Sequence, residues 1–534
     1  MMDRPLNSWL LFANAGRSHR HAEIVSRFPD GRVHRYDYGA FSGRAQQLMG
    51  ALDQLGLERG AVVGSLAWNH HRHLEAYFGV PCSGRVLHTL NARLSADELA
   101  YIIDHAQDRV LLVDPDLLPL VEQLAGRVPS VKTVIVLDDA APDGATVEGE
   151  VLAYEELLAG QPDEYEPIEI DENEPMGLCY TSGTTGRPKG VQYTHRSTFL
   201  HALAVTSAAA LDIGPGDAVL PQVPMFHASA WGVPHAATAV GAKQVLYAGA
   251  LDPASWVDLV AGERVTIAAG VPTVWLAIAE ELSASGRSLP EIRHLVCGGG
   301  QPPRSLIARF RDEFGIDLIQ AWGMTETSPI ASLAWPQERM RDWEPDAVLD
   351  AARTQAGLPV PGIEVSIRDD DGTDFAFDGE SMGTLHVRGP WVADSYLGGE
   401  GDDKFTEDGW FDTGDVAVGS TDGYFVIADR VKDLIKSGGE WISSVDMEAA
   451  LMALPEVAEA SVVAVRDPKW QERPLACLVL RPGAEVTVEA VSEHLQAAGF
   501  AKWQVPDRIE LLDEIPRTSV GKFDKKVLRA RFDP

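Results

Sequence analysis

The sequence predicts a layered α/β protein, with a large N-terminal domain of several subdomains and a small mobile α+β domain at the C-terminal end. Three observations carry that expectation. The chain has 534 residues, well past the roughly 250 to 300 at which a single hydrophobic core stops growing. Its 45% hydrophobic and 23% charged residues are an ordinary globular mixture and argue against a disordered or fibrous chain. Short β-rich apolar runs alternate with segments of helical periodicity throughout, the pattern of helices layered on sheets.

Taken in order, residues 61–68, 110–113, 131–137 and 266–269 are short apolar runs that read as buried strands. Residues 95–105 and 305–314 carry apolar side chains at helical spacing. The acidic, proline-bearing stretch 160–175 reads as a surface connection between subdomains. A charged segment, Asp429-Arg430-Val431-Lys432-Asp433, then breaks the pattern. Beyond it, residues 448–454 read as helix, 460–465 and 475–480 as strands and 488–497 as helix. The expected division is 1–430 for the large domain and 431–534 for the small one, with a hinge at about residues 430–433.

The formal net charge of -34 excludes general nucleic-acid binding, which rests on clustered Lys and Arg. Cys82, Cys179, Cys297 and Cys477 are scattered without a Cys-x-x-Cys pair, which suits a reducing cytoplasm. The opening Met1-Met2-Asp3-Arg4-Pro5 lacks a signal-peptide pattern, and no apolar run reaches the roughly 18 residues of a spanning helix. A cytoplasmic protein without a transmembrane segment is expected; peripheral membrane contact and a homodimer are left open.

The most specific chemical signal is Tyr180-Thr181-Ser182-Gly183-Thr184-Thr185-Gly186-Arg187-Pro188-Lys189-Gly190. Glycines let backbone N–H groups approach phosphate oxygens, hydroxyls add donors, and Lys189 adds charge. Pro188 and the apolar segments on both sides depart from the Walker pattern and point to a strand-loop-strand hairpin.

This loop resembles the signature of the adenylate-forming superfamily of acyl-CoA synthetases, peptide-synthetase adenylation domains and luciferases. Further motifs of that family follow in the family's order, from about residue 10 to the end. Gly298-Gly299-Gly300-Gln301-Pro302 and Gln320-Ala321-Trp322-Gly323-Met324-Thr325-Glu326-Thr327 each follow an apolar run. The resemblance implies that the backbone of Gly299, Gly300 and Gln301 packs on one face of adenine, and that Trp322, beside Gly323, stacks on the other. It also implies that Thr325 touches the α-phosphate and that Glu326, with Thr181, holds Mg²⁺, a hard cation suited to such oxygen ligands.

In Asp408-Gly409-Trp410-Phe411-Asp412-Thr413-Gly414-Asp415 the first two residues read as a hairpin corner. Asp415 matches the family's ribose-gripping acid, a carboxylate to a vicinal diol. Arg430 matches the second ribose contact and Lys432 the hinge position. Pro516-Arg517-Thr518-Ser519-Val520-Gly521-Lys522-Phe523 places Lys522 at the family's adenylation lysine, whose cation stabilises charge shared between carboxylate and α-phosphate. Lys436, Gly438, Gly439 and Trp441, in the loop 436–444, are implied to line the coenzyme A side once the small domain rotates.

Amino-acid-activating relatives carry Phe-Asp where this chain has Phe226-His227, so the acid is expected to lack an α-amine. His227 is implied to orient or shield the carboxylate, and Trp231 and Val233 are candidates for the acyl pocket or its gate. The likeness is strongest to bacterial medium- and long-chain fatty-acyl-CoA synthetases, with ATP and CoA as co-substrates and a small-molecule carboxylic acid as partner. That likeness is carried by residues 435–444 and by Ala501-Lys502-Trp503-Gln504, which also resemble blocks of ligases of short thioether or branched acids; a CoA ligase for a short thioether, branched or aryl acid is an alternative. An acyl-AMP ligase serving a carrier protein and a luciferase-like adenylating oxygenase are the further alternatives.

Overall fold

The computed structural model describes residues 1–142, 149–181, 187–369, 371–437, 440–518 and 523–533. Among these residues the strands form four sheets. The first runs in the order Glu150–Ala153, Thr133–Val136, Val110–Val113, Val62–Leu66, Val86–Thr89, Pro175–Tyr180, Gly190–Thr194. Its interior pairs are parallel, and only the last is antiparallel. Parallel strands covered on both faces need continuous apolar runs, and all four residues of Val110–Val113 and of Thr133–Val136 are buried.

The second sheet places Ile330–Leu333, Asp317–Gly323, His294–Cys297, Ile267–Gly270, Ala218–Pro221, Lys243–Tyr247 and Glu23–Arg27 side by side, with Leu358–Pro359 and Val33–Asp37 at its edges. It is parallel from Glu23–Arg27 to Asp317–Gly323. The helices Ser8–Ser18, Tyr38–Gln54 and His71–Cys82 join through Phe12, Phe41 and Phe78, whose rings lie 5.7 to 5.9 Å apart. A third, antiparallel sheet follows: Glu364–Arg368, Met382–Arg388, Phe411–Gly419, Phe425–Arg430.

The fourth sheet begins after the charged segment, with Ile435–Ser437, and is built on the long hairpin of Val457–Asp467 and Gln471–Leu480. The helices Ser444–Leu451 and Val488–Ala497 cover it through Met447, Leu451, Val491 and Leu495. This part is fastened to the third sheet by polar contacts. Ser443 Oγ donates to the Ala428 carbonyl (2.6 Å), and the Ser444 amide donates to Asp429 Oδ2 (2.7 Å). Lys525 Nζ joins Ser444 Oγ (2.5 Å) to Glu448 (2.9 Å).

The expected strands and helices are present, with shifted ends. The helix expected over 448–454 runs instead over Ser444–Leu451. Ser443 caps it by accepting the Asp446 amide (3.0 Å), and Leu454 precedes Pro455, where helical backbone is disfavoured. The helix expected at 95–105 begins with a capping box, Ser95 with Glu98. Among the described residues no helix is long and apolar enough to cross a membrane.

Candidate active site

Ligands of parallel α/β sheets bind beyond the carboxyl ends of the strands, and the sequence motifs gather there. The strand His294–Cys297 runs into Gly298, Gly299, Gly300 and Gln301, and its parallel neighbour Asp317–Gly323 ends in Trp322 and Gly323. A Cβ on Gly298 would come 2.8 Å from Trp231 Cη2 and 3.1 Å from the Ala321 carbonyl oxygen, so only glycine fits. Gly323 is equally constrained: a Cβ there would overlap the Pro329 carbonyl. That contact lets the chain fold back on itself and present the short turn Thr325–Thr327 at the strand end.

A hydrogen-bonded chain crosses from the second sheet to the third. Trp322 Nε1–H donates to Asp415 Oδ2 (3.0 Å), and Arg430 Nε pairs with Asp415 Oδ1 (2.6 Å). Asp415 and Arg430 face each other across adjacent strands, and Thr413 Oγ1 accepts the Asp415 amide (3.0 Å). Both carboxylate oxygens are thus fixed, each keeping acceptor capacity for a hydroxyl. Asp408, by contrast, pairs with Arg368 (3.0 Å) beside the turn at Gly409.

The Thr325 carbonyl accepts the Tyr193 hydroxyl (2.9 Å), and Glu326 Oε1 accepts the Tyr396 hydroxyl (2.6 Å). The Lys189 ammonium lies 4.8 Å from the centroid of the same Tyr396 ring, a cation–π contact. Burial raises the Tyr396 phenol well above its ordinary pKa, which keeps it a donor. The hairpin expected around the glycine loop is formed by Pro175–Tyr180 and Gly190–Thr194. Its mouth is closed by the Thr181 amide donating to the Lys189 carbonyl (2.9 Å). Ser182, Gly183, Thr184, Thr185 and Gly186 lie outside the described residues.

His227 precedes an unusual backbone. Ala228, Ser229, Ala230 and Trp231 all have φ between 42° and 58°, before Gly232 at 74°. Left-handed backbone costs an L-residue about 1 to 2 kcal/mol, so the segment must be held from outside. Asn69 Nδ2 donates to the Pro221 and Val223 carbonyls (3.1 and 3.0 Å), and its Oδ1 accepts the Met225 amide (2.7 Å). The Tyr77 hydroxyl donates to the Met225 carbonyl. Cys179 Sγ, one residue before the glycine-loop motif, accepts the Ala228 amide (3.2 Å). Trp231 is thereby buried against Gly298, and it shares an apolar cluster with Val233.

The described structure thus gathers Thr181, Lys189, His227, the glycine run, Trp322, Thr325, Glu326, Asp415 and Arg430. Lys432 and Lys436 are exposed; the Lys436 amide donates to Glu472 (2.8 Å) and its residue pairs with Trp441 in a short hairpin. Gly438, Gly439 and Lys522 lie outside the described residues. Sequence reasoning missed Tyr193 and Tyr396, which touch Thr325 and Glu326, and Asn69, Tyr77 and Cys179, which hold the His227 segment. Cys179 alone carried a signal, through its place next to the loop.

The family model described as AMP-binding enzyme matches residues 11–397, and that of the AMP-binding enzyme C-terminal domain matches residues 446–522. A long-chain-fatty-acid–CoA ligase of Thermus thermophilus is 49% identical over 534 residues, covering 100% of this chain and 96% of the relative. A medium-chain-fatty-acid–CoA ligase of Ectopseudomonas oleovorans is 41% identical, covering 100% and 97%. A 3-methylmercaptopropionyl-CoA ligase of Ruegeria lacuscaerulensis is 42% identical, covering 100% and 98%. Among solved structures, an anthranilate CoA ligase in complex with anthranoyl-AMP superimposes with a TM-score of 0.88 at 26% identity, covering 99% of this chain and 98% of that one.

Proposed function

The chain belongs to the AMP-binding enzymes, and from that premise we infer that it is an acid–thiol ligase making acyl-CoA from a medium- or long-chain fatty acid. The reaction has two steps. A carboxylate oxygen attacks the α-phosphorus of ATP and pyrophosphate leaves, giving acyl-AMP. The CoA thiol, losing its proton, then attacks the acyl carbonyl and AMP leaves.

The observation that carries this reading is the chain Trp322–Asp415–Arg430 lying beside the Thr325–Glu326 turn. An indole and a carboxylate fixed by two donors suit a base and its ribose diol. On this reading Thr325 is assigned to the α-phosphate, and Lys189 with the glycine loop to the outer phosphates. Most of the catalysis asked of these groups is positioning and charge stabilisation.

Glu326 suits Mg²⁺: it is a buried hard-ligand carboxylate with one oxygen taken by Tyr396. Among the described residues no group of three or more His, Cys, Asp or Glu could hold a metal, and a cation held by one carboxylate, the Thr181 hydroxyl and nucleotide phosphates needs none. When bound, Mg²⁺ would neutralise phosphate charge. His227 orients the incoming carboxylate, Lys522 bridges it to the α-phosphate, and the Lys436–Trp441 hairpin serves the thiol step. Four buried cysteines without disulfides support a reducing, cytoplasmic setting.

The fatty acid itself is supported by the names and full-length identity of two of the relatives. A panel of acids from C2 to C18, with aryl and thioether acids, scored for CoA-dependent AMP release, tests it. Activity is expected to peak at C8 or longer; a peak at C4 or shorter overturns the fatty-acid reading. Lys522→Ala is expected to abolish acyl-AMP formation while sparing thioester formation from supplied acyl-AMP, and equal loss of both rejects that role.

A further inference from the structure

Behind Ser229, two residues past His227, lies a partly open cavity of about 20 Å³. That is room for about one water-sized group. Its polar lining comes from Tyr77, Thr89, Tyr193, Thr198, Ser229 and His235. Tyr193 ties the cavity wall to the Thr325 carbonyl, and Gly177 and Leu178 of the same wall belong to the strand that enters the glycine loop. The cavity therefore lies beneath the junction of the His227 segment and the Thr325 turn, where the proposed reaction puts the acid.

His235 sets this cavity apart. It is 4% exposed, and neither ring nitrogen has a hydrogen-bond partner among the described residues. Its ring is wedged between Tyr77 and Phe78, with centroids 5.2 and 5.3 Å away. Several other buried histidines are engaged through their rings. His73 meets Ser65 and the Trp68 carbonyl, His195 meets Ser8, and His201 Nε2 accepts the Ile330 amide. Burial lowers the His235 pKa to about 4, so near neutrality the ring offers one N–H donor and one bare nitrogen.

An alkyl chain satisfies neither nitrogen and seals both from water, which is costly. A hydroxyl both accepts and donates and is the size of the space. We propose that His235 is a specificity-determining residue of the acid site and that the preferred acyl chain carries a hydroxyl seated in this cavity. The proposal rests on the ligase reading above and narrows it to hydroxylated fatty acids. A site built to hydrogen-bond a substrate hydroxyl discriminates strongly against the analogue that lacks it.

The test uses the full chain with Mg-ATP and CoA, measuring AMP release with octanoate and with its 3-, 4-, 5- and 6-hydroxy derivatives. One hydroxy isomer is expected to exceed octanoate in kcat/KM by about tenfold or more. His235→Leu should remove that advantage, and His235→Gln, which keeps a donor and an acceptor, should retain part of it. The thermal midpoint of His235→Leu is expected to be no lower than that of the wild type, because the substitution deletes two unpaired nitrogens. Should the Leu variant not fold, the ratio measured for His235→Gln against His235→Phe decides. If octanoate is used at least as well as every hydroxy isomer, or the preference survives His235→Leu, the proposal is overturned and the ligase reading stands. No AMP release with any acid overturns both.

Discussion

At the scale of single residues, Tyr396 bears on the chemistry through two other groups. Its hydroxyl supplies a 2.6 Å hydrogen bond to Glu326, and its ring faces the Lys189 ammonium. Tyr396→Phe keeps the ring and deletes the donor. Leaving a buried carboxylate short of a hydrogen bond costs about 1 to 3 kcal/mol, so kcat/KM for Mg-ATP in the acyl-AMP step should fall by about ten- to a hundredfold. Tyr396→Ala also gives up the cation–π contact and should fall further. Pyrophosphate release at varied Mg-ATP measures both, and an unchanged Tyr396→Phe enzyme rejects the coupling. Glu326 was legible in the sequence because it stands in Gly323-Met324-Thr325-Glu326. Tyr396 was not, since 70 residues separate it from Glu326 and only the docking of the two segments brings them together.

At the scale of elements, the close approach of one strand end to one turn fixes the floor of the site. Gly298→Ala would drive a methyl against Trp231 and the Ala321 carbonyl. Trp231 has little freedom to retreat, because its backbone sits in the left-handed run pinned through Cys179, Asn69 and Tyr77. Overpacking of this kind costs about 1 to 3 kcal/mol. Trp231→Phe, which removes the outer ring atoms, should restore part of the stability that Gly298→Ala loses, giving a non-additive double-mutant cycle. Denaturant unfolding of the four proteins measures it, and strict additivity rejects the contact. The strands and the hairpin around the glycine loop were legible from apolar runs and punctuation. The left-handed run was not: four consecutive positions without glycine or asparagine carry no local signal for that backbone, which is imposed by residues more than 45 positions away.

At the scale of the whole molecule, buried histidines set the acid limit of the fold. Burial lowers His73, His195 and His235 to about 4 and His201 to about 3, with the nearby His235 adding to the last shift. Unfolded, each titrates near 6.5. Above that value both states are neutral and the groups contribute nothing to pH dependence. Below it the unfolded chain takes up protons that the native protein refuses, so stability falls as pH falls, until the folded pKa is reached. Each histidine contributes at most about 1.4 kcal/mol per pH unit, so four together reach at most about 5.5 kcal/mol per unit. Total stabilities are only about 5 to 15 kcal/mol. His34, His71 and His294 are lowered by burial too and act in the same direction. The buried carboxyls of Asp108, Asp429 and Glu448 are raised by burial and oppose them, although His88 and Lys525 offset that burial. Surface carboxylates lowered by their partners, such as Asp378 and Asp408 at about 2, keep their contribution until the pH nears 4 and below. The thermal midpoint should therefore drop steeply between pH 7 and 5, with net proton uptake on unfolding. Calorimetry at pH 5.5 in two buffers of different ionisation enthalpy reads that uptake directly. A midpoint flat from pH 7 to 5 would mean that these histidines are solvated or already charged in the native state, and the buried, neutral environment assigned to His235 would fail with it.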